Sequence, residues 1–312
     1  MVAYIIKRIL LSVMTLMLII ALTFILMNTV PGGPFLGEKA ISPRVLAELE
    51  AKYGMDKPLP IQLLNYFSGL IRGDLGVSLK MQKNRPVATI IGEMFPVSAR
   101  IGSIALLWSI IVGVSLGCLA ADKRGRWQDS VLQVVSTLGI AFPSFVNATV
   151  LLVLFAGGVL HIFPTTGIGR GAISYVLPCF TLGLSPMCSV TRYTRSAMLD
   201  ALSKEYVKTA RAYGFPSQKV IFKYALRNAL IPVVTYLGPL TASVLVGGFV
   251  VETVFNIPGL GRYLIQSISN RDYPLIMGTT IFFASLVIAM NFIVDILYKI
   301  IDPRIHLSGS EE

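Results

Sequence analysis

The sequence predicts an all-α polytopic membrane protein with six transmembrane helices and a small extramembrane subdomain between the first two. Three observations carry this reading. Hydrophobic residues make up 54% of the 312-residue chain and charged residues only 14%, against about 25% charged in ordinary globular chains. The mean hydropathy is +0.72. A soluble exterior needs most of its Lys, Arg, Asp and Glu at the surface, and disorder needs low hydrophobicity, so both classes are excluded. Finally, six charge-free runs reach the length of about 20 residues that a spanning helix requires.

The runs are Ile9–Val30, Ile101–Ala121, Ser130–Gly169, Gly171–Thr191, Asn228–Val251 and Tyr273–Val294. The first follows Lys7 and Arg8 as a signal peptide would, but it is longer than the usual 7–15 apolar residues and no A-x-A site follows. It reads as a signal anchor over 1–30. Residues 31–100 form an external subdomain, too small for an independent enzyme. Within it, Pro43 to Tyr53 reads as a short amphipathic helix with Ser42 as N-cap and Gly54 as its stop, and Gln62 to Leu70 as a second. The third run is too long for one helix. Gly157-Gly158 and Pro164-Thr165-Thr166-Gly167 end it near Leu160, and Pro143 predicts a kinked single span in preference to two short re-entrant helices. Residues 101–301 make the core and 302–312 a tail.

The net charge of +11 fits the Lys and Arg excess left on the cytoplasmic side of a membrane protein better than nucleic-acid binding. With the N-terminus inside, 15 Lys and Arg fall inside, and three fall in the two short outer segments. The long 31–100 stretch is set aside because long loops translocate largely regardless of charge. Both termini are therefore expected in the cytoplasm. A cysteine at Ser78 is expected to meet an impermeant reagent and one at Ser217 is not.

The inner stretch 192–227 is the least membrane-like part of the chain. Leu199, Leu202, Tyr206, Ala210 and Tyr213 recur at steps of three and four and mark one helical face, with Lys204, Lys208 and Arg211 elsewhere. Gly214 supplies a left-handed stop and Pro216 follows. A second short helix runs from Ser217 to Leu226. The pattern suits a helix lying on anionic lipid as well as a rigid peg that docks into a partner.

Here residues 206–214, Tyr206-Val207-Lys208-Thr209-Ala210-Arg211-Ala212-Tyr213-Gly214, followed by Lys223-Tyr224-Ala225-Leu226-Arg227-Asn228-Ala229-Leu230-Ile231-Pro232, resemble the "EAA" loop of ATP-binding-cassette importer permeases. More narrowly, they resemble the oligopeptide/dipeptide permease family. Glu252-Thr253-Val254-Phe255, Pro258-Gly259-Leu260-Gly261, Asn270-Arg271-Asp272-Tyr273-Pro274 and Asp302-Pro303-Arg304 match that family's C-terminal half in order and spacing. Pro31-Gly32-Gly33-Pro34-Phe35, Glu50-Ala51-Lys52-Tyr53 and Phe95-Pro96-Val97-Ser98-Ala99 resemble its B-type subunit. Lys208-Thr209-Ala210 stands where the broader family has Glu-Ala-Ala, and Arg227 where it has Pro; Glu205 lies nearly one turn upstream.

The resemblance implies a type I ABC importer permease fold in the bacterial cytoplasmic membrane. It implies a second, similar permease subunit, two cytoplasmic ATPase subunits and an extracytoplasmic peptide-binding protein as partners. Glu205, Tyr206, Lys208, Thr209, Ala210, Arg211, Gly214 and Phe215 would form the ATPase contact. The chain would bind no cofactor, with ATP and Mg on the partners, and would form half of a pathway for oligopeptides or dipeptides. Related permeases carry nickel or glutathione, which leaves those as alternative substrates.

Other chemistry is weaker. No Gly-Lys dipeptide occurs, so no Walker A phosphate loop can be drawn. Gly113-Val114-Ser115-Leu116-Gly117 matches G-x-S-x-G, but a nucleophile elbow needs a strand-to-helix turn, and small residues here suit a helix-packing face. His161 and His306 lie at opposite membrane faces, and Cys118, Cys179 and Cys188 show no metal or disulfide spacing. Near-membrane charges are functional candidates: Asp295 is expected to pair with Arg192 or Arg195, and Glu252 with Asn147 marks a pathway or outer mouth. An ion-coupled secondary transporter would need mid-membrane carboxylates, which the six runs lack.

Overall fold

Pro143 decides the middle of the chain. In the computed structural model, which describes residues 2–30, 33, 35, 43–157 and 160–301, helix α5 (Trp127–Ala141) and helix α6 (Ser144–Leu152, extended by a wider π turn over Val153–Gly157) meet at an angle of 100°. The break expected at Pro143 is therefore a sharp bend between two short helices. Phe142 precedes proline and is pushed into the extended region (φ −75°, ψ 126°). That ends α5, while Pro143 serves as the N-cap of α6.

The earlier elements follow the expected order. They are α1 (Val2–Thr29), α2 (Pro43–Tyr53) and α3 (Leu59–Ile71), with Gly54 at φ +67° closing α2. Ser42, the expected cap of α2, lies outside the described residues, as do the 302–312 tail and His306. Helix α4 (Val87–Asp122) starts well before Ile101, so the expected boundary at residue 100 falls inside a helix. Its 36 residues extend about 54 Å at the helical rise.

Beyond the bent pair lie α7 (Ile173–Leu202), α8 (Glu205–Ala212) and a long helical segment: α9 (Ser217–Lys219), a π turn at Val220–Ala225, α10 (Leu226–Gly247) and α11 (Phe249–Val254). The short helix expected over 217–226 is thus the beginning of a span. An amphipathic α12 (Leu260–Asn270) and α13 (Tyr273–Ile301) complete the described chain. Among the described residues, five helical stretches are long and apolar enough to cross a membrane, or six with the bent pair as one span.

The contacts divide the chain into two units. The first comprises Met1–Val97 with Pro258–Ile288. There Ile20 and Phe24 of α1 pack with Met277 and Ile281 of α13, flanked by Leu63, Tyr66, Phe67 and Leu70 of α3. The Tyr273 hydroxyl donates to the Met27 carbonyl at 2.9 Å. Ser78, expected to be accessible, is fully buried in this unit.

The second unit is Ser98–Ile257 with Ala289–Glu312. Here α4 and α7 approach backbone to backbone. A Cβ on Gly113 would stand 2.8 Å from Val190 Cβ, and one on Gly117 would stand 2.5 Å from Thr194 Cβ. Both distances are below normal contact, so only glycine permits the approach. The Gly-x-Ser-x-Gly segment is helix interior, with the Ser115 hydroxyl donating to the Ile111 carbonyl at 2.7 Å.

Candidate functional site

Helix α7 ends where the Ser203 hydroxyl donates back to the Asp200 carbonyl at 2.7 Å, a local bond that competes with helix continuation. Lys204 is extended (ψ 152°), and α8 restarts at Glu205. This break changes the helical phase. Of the face expected over Leu199, Leu202, Tyr206, Ala210 and Tyr213, Leu199, Leu202 and Ala210 pack inward, but the two tyrosines do not and Val207 takes their place. Val207 and Ala210 are buried, whereas Tyr206 and Tyr213 are exposed.

Val207 and Ala210 enter a cluster with Cys118 and Ala121 of α4, Met198 and Ala201 of α7, and Val220, Ile221, Ala225 and Ala229 of the following span. Three spans therefore share one anchor for α8. Its other face presents Glu205, Tyr206, Lys208, Thr209 and Arg211. Lys208 Nζ lies 2.6 Å from Glu205 Oε1, an exposed pair of little stabilising worth. The Thr209 hydroxyl donates to the Glu205 carbonyl at 3.1 Å.

The C-terminus of α8 is a Schellman stop. The Phe215 N–H donates to the Ala210 carbonyl at 3.4 Å, and the Gly214 N–H to the Arg211 carbonyl at 2.9 Å. This motif places its C′ residue in the left-handed region, and Gly214 has φ +73°. A Cβ there would meet nothing within 4 Å, so backbone conformation, not crowding, favours glycine. Phe215 packs back against the cluster. Its ring stacks on Tyr224 at 5.6 Å and lies 6.5 Å from Tyr213, and Lys219 Nζ sits 4.0 Å over it.

The C-terminal part of α7 is tied down by charge. The Arg195 guanidinium donates through Nε to Asp129 Oδ1 at 2.6 Å and through a second nitrogen to Oδ2 at 2.8 Å. Asp129 also accepts the Gly125 N–H at 3.0 Å and the Gln133 amide at 3.1 Å. The expected partner, Asp295, has a side chain outside the described residues, and Arg192 is exposed. Tyr193 of α7 stacks on Tyr236 of α10 at 3.9 Å.

Glu252 and Asn147 come from helices that touch, because α6 packs on α11. Asn147 is half-buried. Glu252 is 2% exposed, with its backbone carbonyl accepting the Ile257 N–H at 2.8 Å. Its side chain is therefore enclosed, unlike an open mouth group. Sequence reasoning missed Asp129 and Val207. A lone carboxylate just before an apolar run was the available signal for Asp129, and the Ser203-Lys204 break was the signal for Val207.

Apolar spans that share one anchor for a rigidly stopped helix define a polytopic membrane protein. The chain belongs to the family of binding-protein-dependent transport system inner membrane components. Residues 113–307 match that family, and residues 1–101 match the N-terminal part of such membrane components. The chain is 42% identical to the dipeptide transport system permease protein DppB of Bacillus subtilis, over 97% of this chain and 98% of that one. It is 40% identical to the oligopeptide transport system permease protein OppB of Salmonella typhimurium, over 98% and 99%. In fold it is similar to a crystal structure of an amino acid ABC transporter (TM-score 0.54, 13% identity, 68% of this chain and 94% of that one). The inward-facing MetNI methionine ABC transporter gives TM-score 0.54 at 13% identity, covering 69% and 97%. The fold is thus that of ABC importer permeases.

Proposed function

We propose that this chain is the permease subunit of an ATP-driven, binding-protein-dependent importer of dipeptides or oligopeptides, forming half of the pathway beside a second permease. The observation that carries the coupling role is α8, held to three spans by Val207 and Ala210 while Tyr206, Lys208, Arg211 and Tyr213 remain exposed. Two cytoplasmic ATPase subunits bind ATP and Mg and close on one another, and this chain binds no cofactor. Their movement pushes on α8, and the shared anchor passes the push to α4, α7 and α10 together. The Asp129–Arg195 tie carries the start of α5 with α7. Both termini are cytoplasmic, and an extracytoplasmic binding protein delivers the peptide. Glu252 and Asn147 belong to α11 and α6, two helices in contact, and opening of the pathway would uncover them.

The peptide reading is supported by the names of relatives near 40% identity over almost the whole chain. Reconstitution of the complete importer in vesicles tests it, with labelled tripeptide, nickel ion or glutathione supplied outside. ATP-dependent accumulation of tripeptide is expected. Accumulation of nickel or glutathione without peptide would overturn the assignment.

A further inference from the structure

We propose that the membrane-facing groove between α4 and α7 is a binding site for an anionic phospholipid, with Arg100 on the headgroup. The groove has a volume of about 370 Å³. Ile104 and Trp108 line one side, and Tyr175, Val176, Cys179 and Phe180 line the other. On α4 the positions Arg100, Ile104 and Trp108 fall at steps of four, one stripe of a helix. The two helices run parallel here: Ile101 accepts a bond from Cys179 Sγ, and the Ser109 hydroxyl donates to the Gly183 carbonyl at 2.7 Å.

The floor offers no polar group to a ligand. The Trp108 indole N–H donates to the Cys179 carbonyl at 3.0 Å, and its ring stacks nearly parallel on Phe180 at 5.3 Å. A hydrocarbon chain suits such a lining, and a peptide backbone does not. The end of the groove is different. Arg100 is exposed, and its guanidinium donates to the Tyr175 hydroxyl at 3.3 Å. Arg170 stands exposed just before α7, its N–H donating to the Ser174 hydroxyl at 3.2 Å.

Length places this cationic end at the headgroups. The charge-free stretch Ile101–Ala121 lies wholly within α4 and extends about 31 Å, which matches a hydrocarbon core of about 30 Å. Arg100 then sits at one interface and Asp122 with Lys123 at the other. Acyl chain below and the Arg100 guanidinium at the phosphate level match a phospholipid, and its positive charge selects a net negative one. A neighbouring protein helix would fill the apolar part but would not need the arginine.

The test uses the full-length chain within its assembled importer, in nanodiscs containing equal phosphatidylglycerol and phosphatidylcholine. Retained lipid is counted by native mass spectrometry, and a photo-crosslinking residue is placed at Val176. A preference of about fivefold for phosphatidylglycerol is expected, the scale of one basic residue at a membrane surface. Arg100→Gln should abolish the preference, and Val176→Trp should exclude the lipid; both are judged on particles that keep their membrane abundance. Arg72→Gln, an exposed arginine of the other unit, should leave it intact. The crosslinker should capture lipid. Equal retention of both lipids, an equal loss in Arg72→Gln, or a crosslink to a protein chain would overturn the proposal, the last by making the groove a subunit interface.

Discussion

The Ser78 hydroxyl donates to Asp272 Oδ2 at 2.5 Å across 194 positions of sequence. The same carboxylate accepts the Leu79, Lys80 and Met81 N–H groups at 3.0, 3.1 and 3.0 Å. Ser78 and Asp272 are both fully buried. One carboxylate thus fixes the turn before α4 to the α12–α13 junction, where Arg271 takes a left-handed conformation at φ +57°. Hydrogen bonds to an ionised acceptor are about twice as strong as neutral ones.

Asp272→Asn replaces one acceptor oxygen by an N–H₂ group facing donors. A buried donor left without its partner costs about 1–3 kcal/mol. The variant should lower the unfolding temperature and admit protease to the 78–86 turn. Ser78→Ala, which leaves the three backbone donors in place, should do so less. Equal and negligible shifts in both variants would show that the carboxylate does not organise the turn.

Arg195 and Asp129 form the corresponding tie in the other unit, with Asp129 almost wholly buried. Removing one partner of such a pair strands the other, at about 3–5 kcal/mol when burial is complete. Arg195→Met should therefore reduce membrane abundance more than the double variant Arg195→Met with Asp129→Leu, in which no charge is stranded. Quantitative blotting of membranes decides between this and simple additivity.

Sequence reading reached what local pattern encodes. Charge-free runs marked the spans, and the Tyr213-Gly214-Phe215-Pro216 order marked the Schellman stop. It failed where distant atoms decide. Whether Pro143 kinks a helix or folds it back by 100° depends on what α6 packs against, namely α7 and α11. On α8 the reading placed Ala210 on the packing face but took Tyr206 in place of Val207, because the Ser203-Lys204 break resets the helical phase and a periodicity count carried across it selects Tyr206. Arg195 was paired by depth alone, and depth does not distinguish Asp129 from Asp295.

The aromatic bracket after α8 makes Lys219 more than a surface charge. Its ammonium lies over Phe215, a contact worth about 0.5–1 kcal/mol at an exposed site. Lys219→Gln should weaken ATPase co-purification by about two- to fivefold, and Lys219→Arg should retain it. Phe215→Ala removes the Tyr224 stack as well and should cost more. No change on Phe215→Ala would mean that the bracket does not support docking.

Topology is testable with accessible probes. Lys83 is exposed where Ser78 is not, and Ser217 is exposed at the start of its span. In intact cells, Lys83→Cys should react with a membrane-impermeant maleimide, and Ser217→Cys should react only after permeabilisation. The opposite pattern would invert the assigned orientation.

Gly214 is the sharpest test of the coupling role. Its φ of +73° with open space around it separates conformational strain from steric clash. A β-branched residue is a genuine outlier there, with a cost of about 1–3 kcal/mol, whereas asparagine visits the left-handed region more readily. Gly214→Val should therefore abolish transport, Gly214→Ala should impair it, and Gly214→Asn should retain most of it. Membrane abundance should hold in all three, since that strain is small beside the burial of several apolar spans. The mechanism behind the order is geometric: if Gly214 leaves the left-handed region, Phe215 loses its bond to Ala210 and its place against Tyr224, and the exposed face of α8 is no longer held at a fixed angle to α4, α7 and α10. Transport, membrane level and ATPase co-purification are measured on the same preparations. Normal transport by Gly214→Val would end the rigid-peg reading. Equal loss in the valine and asparagine variants would show that side-chain volume, not backbone conformation, is what the site rejects.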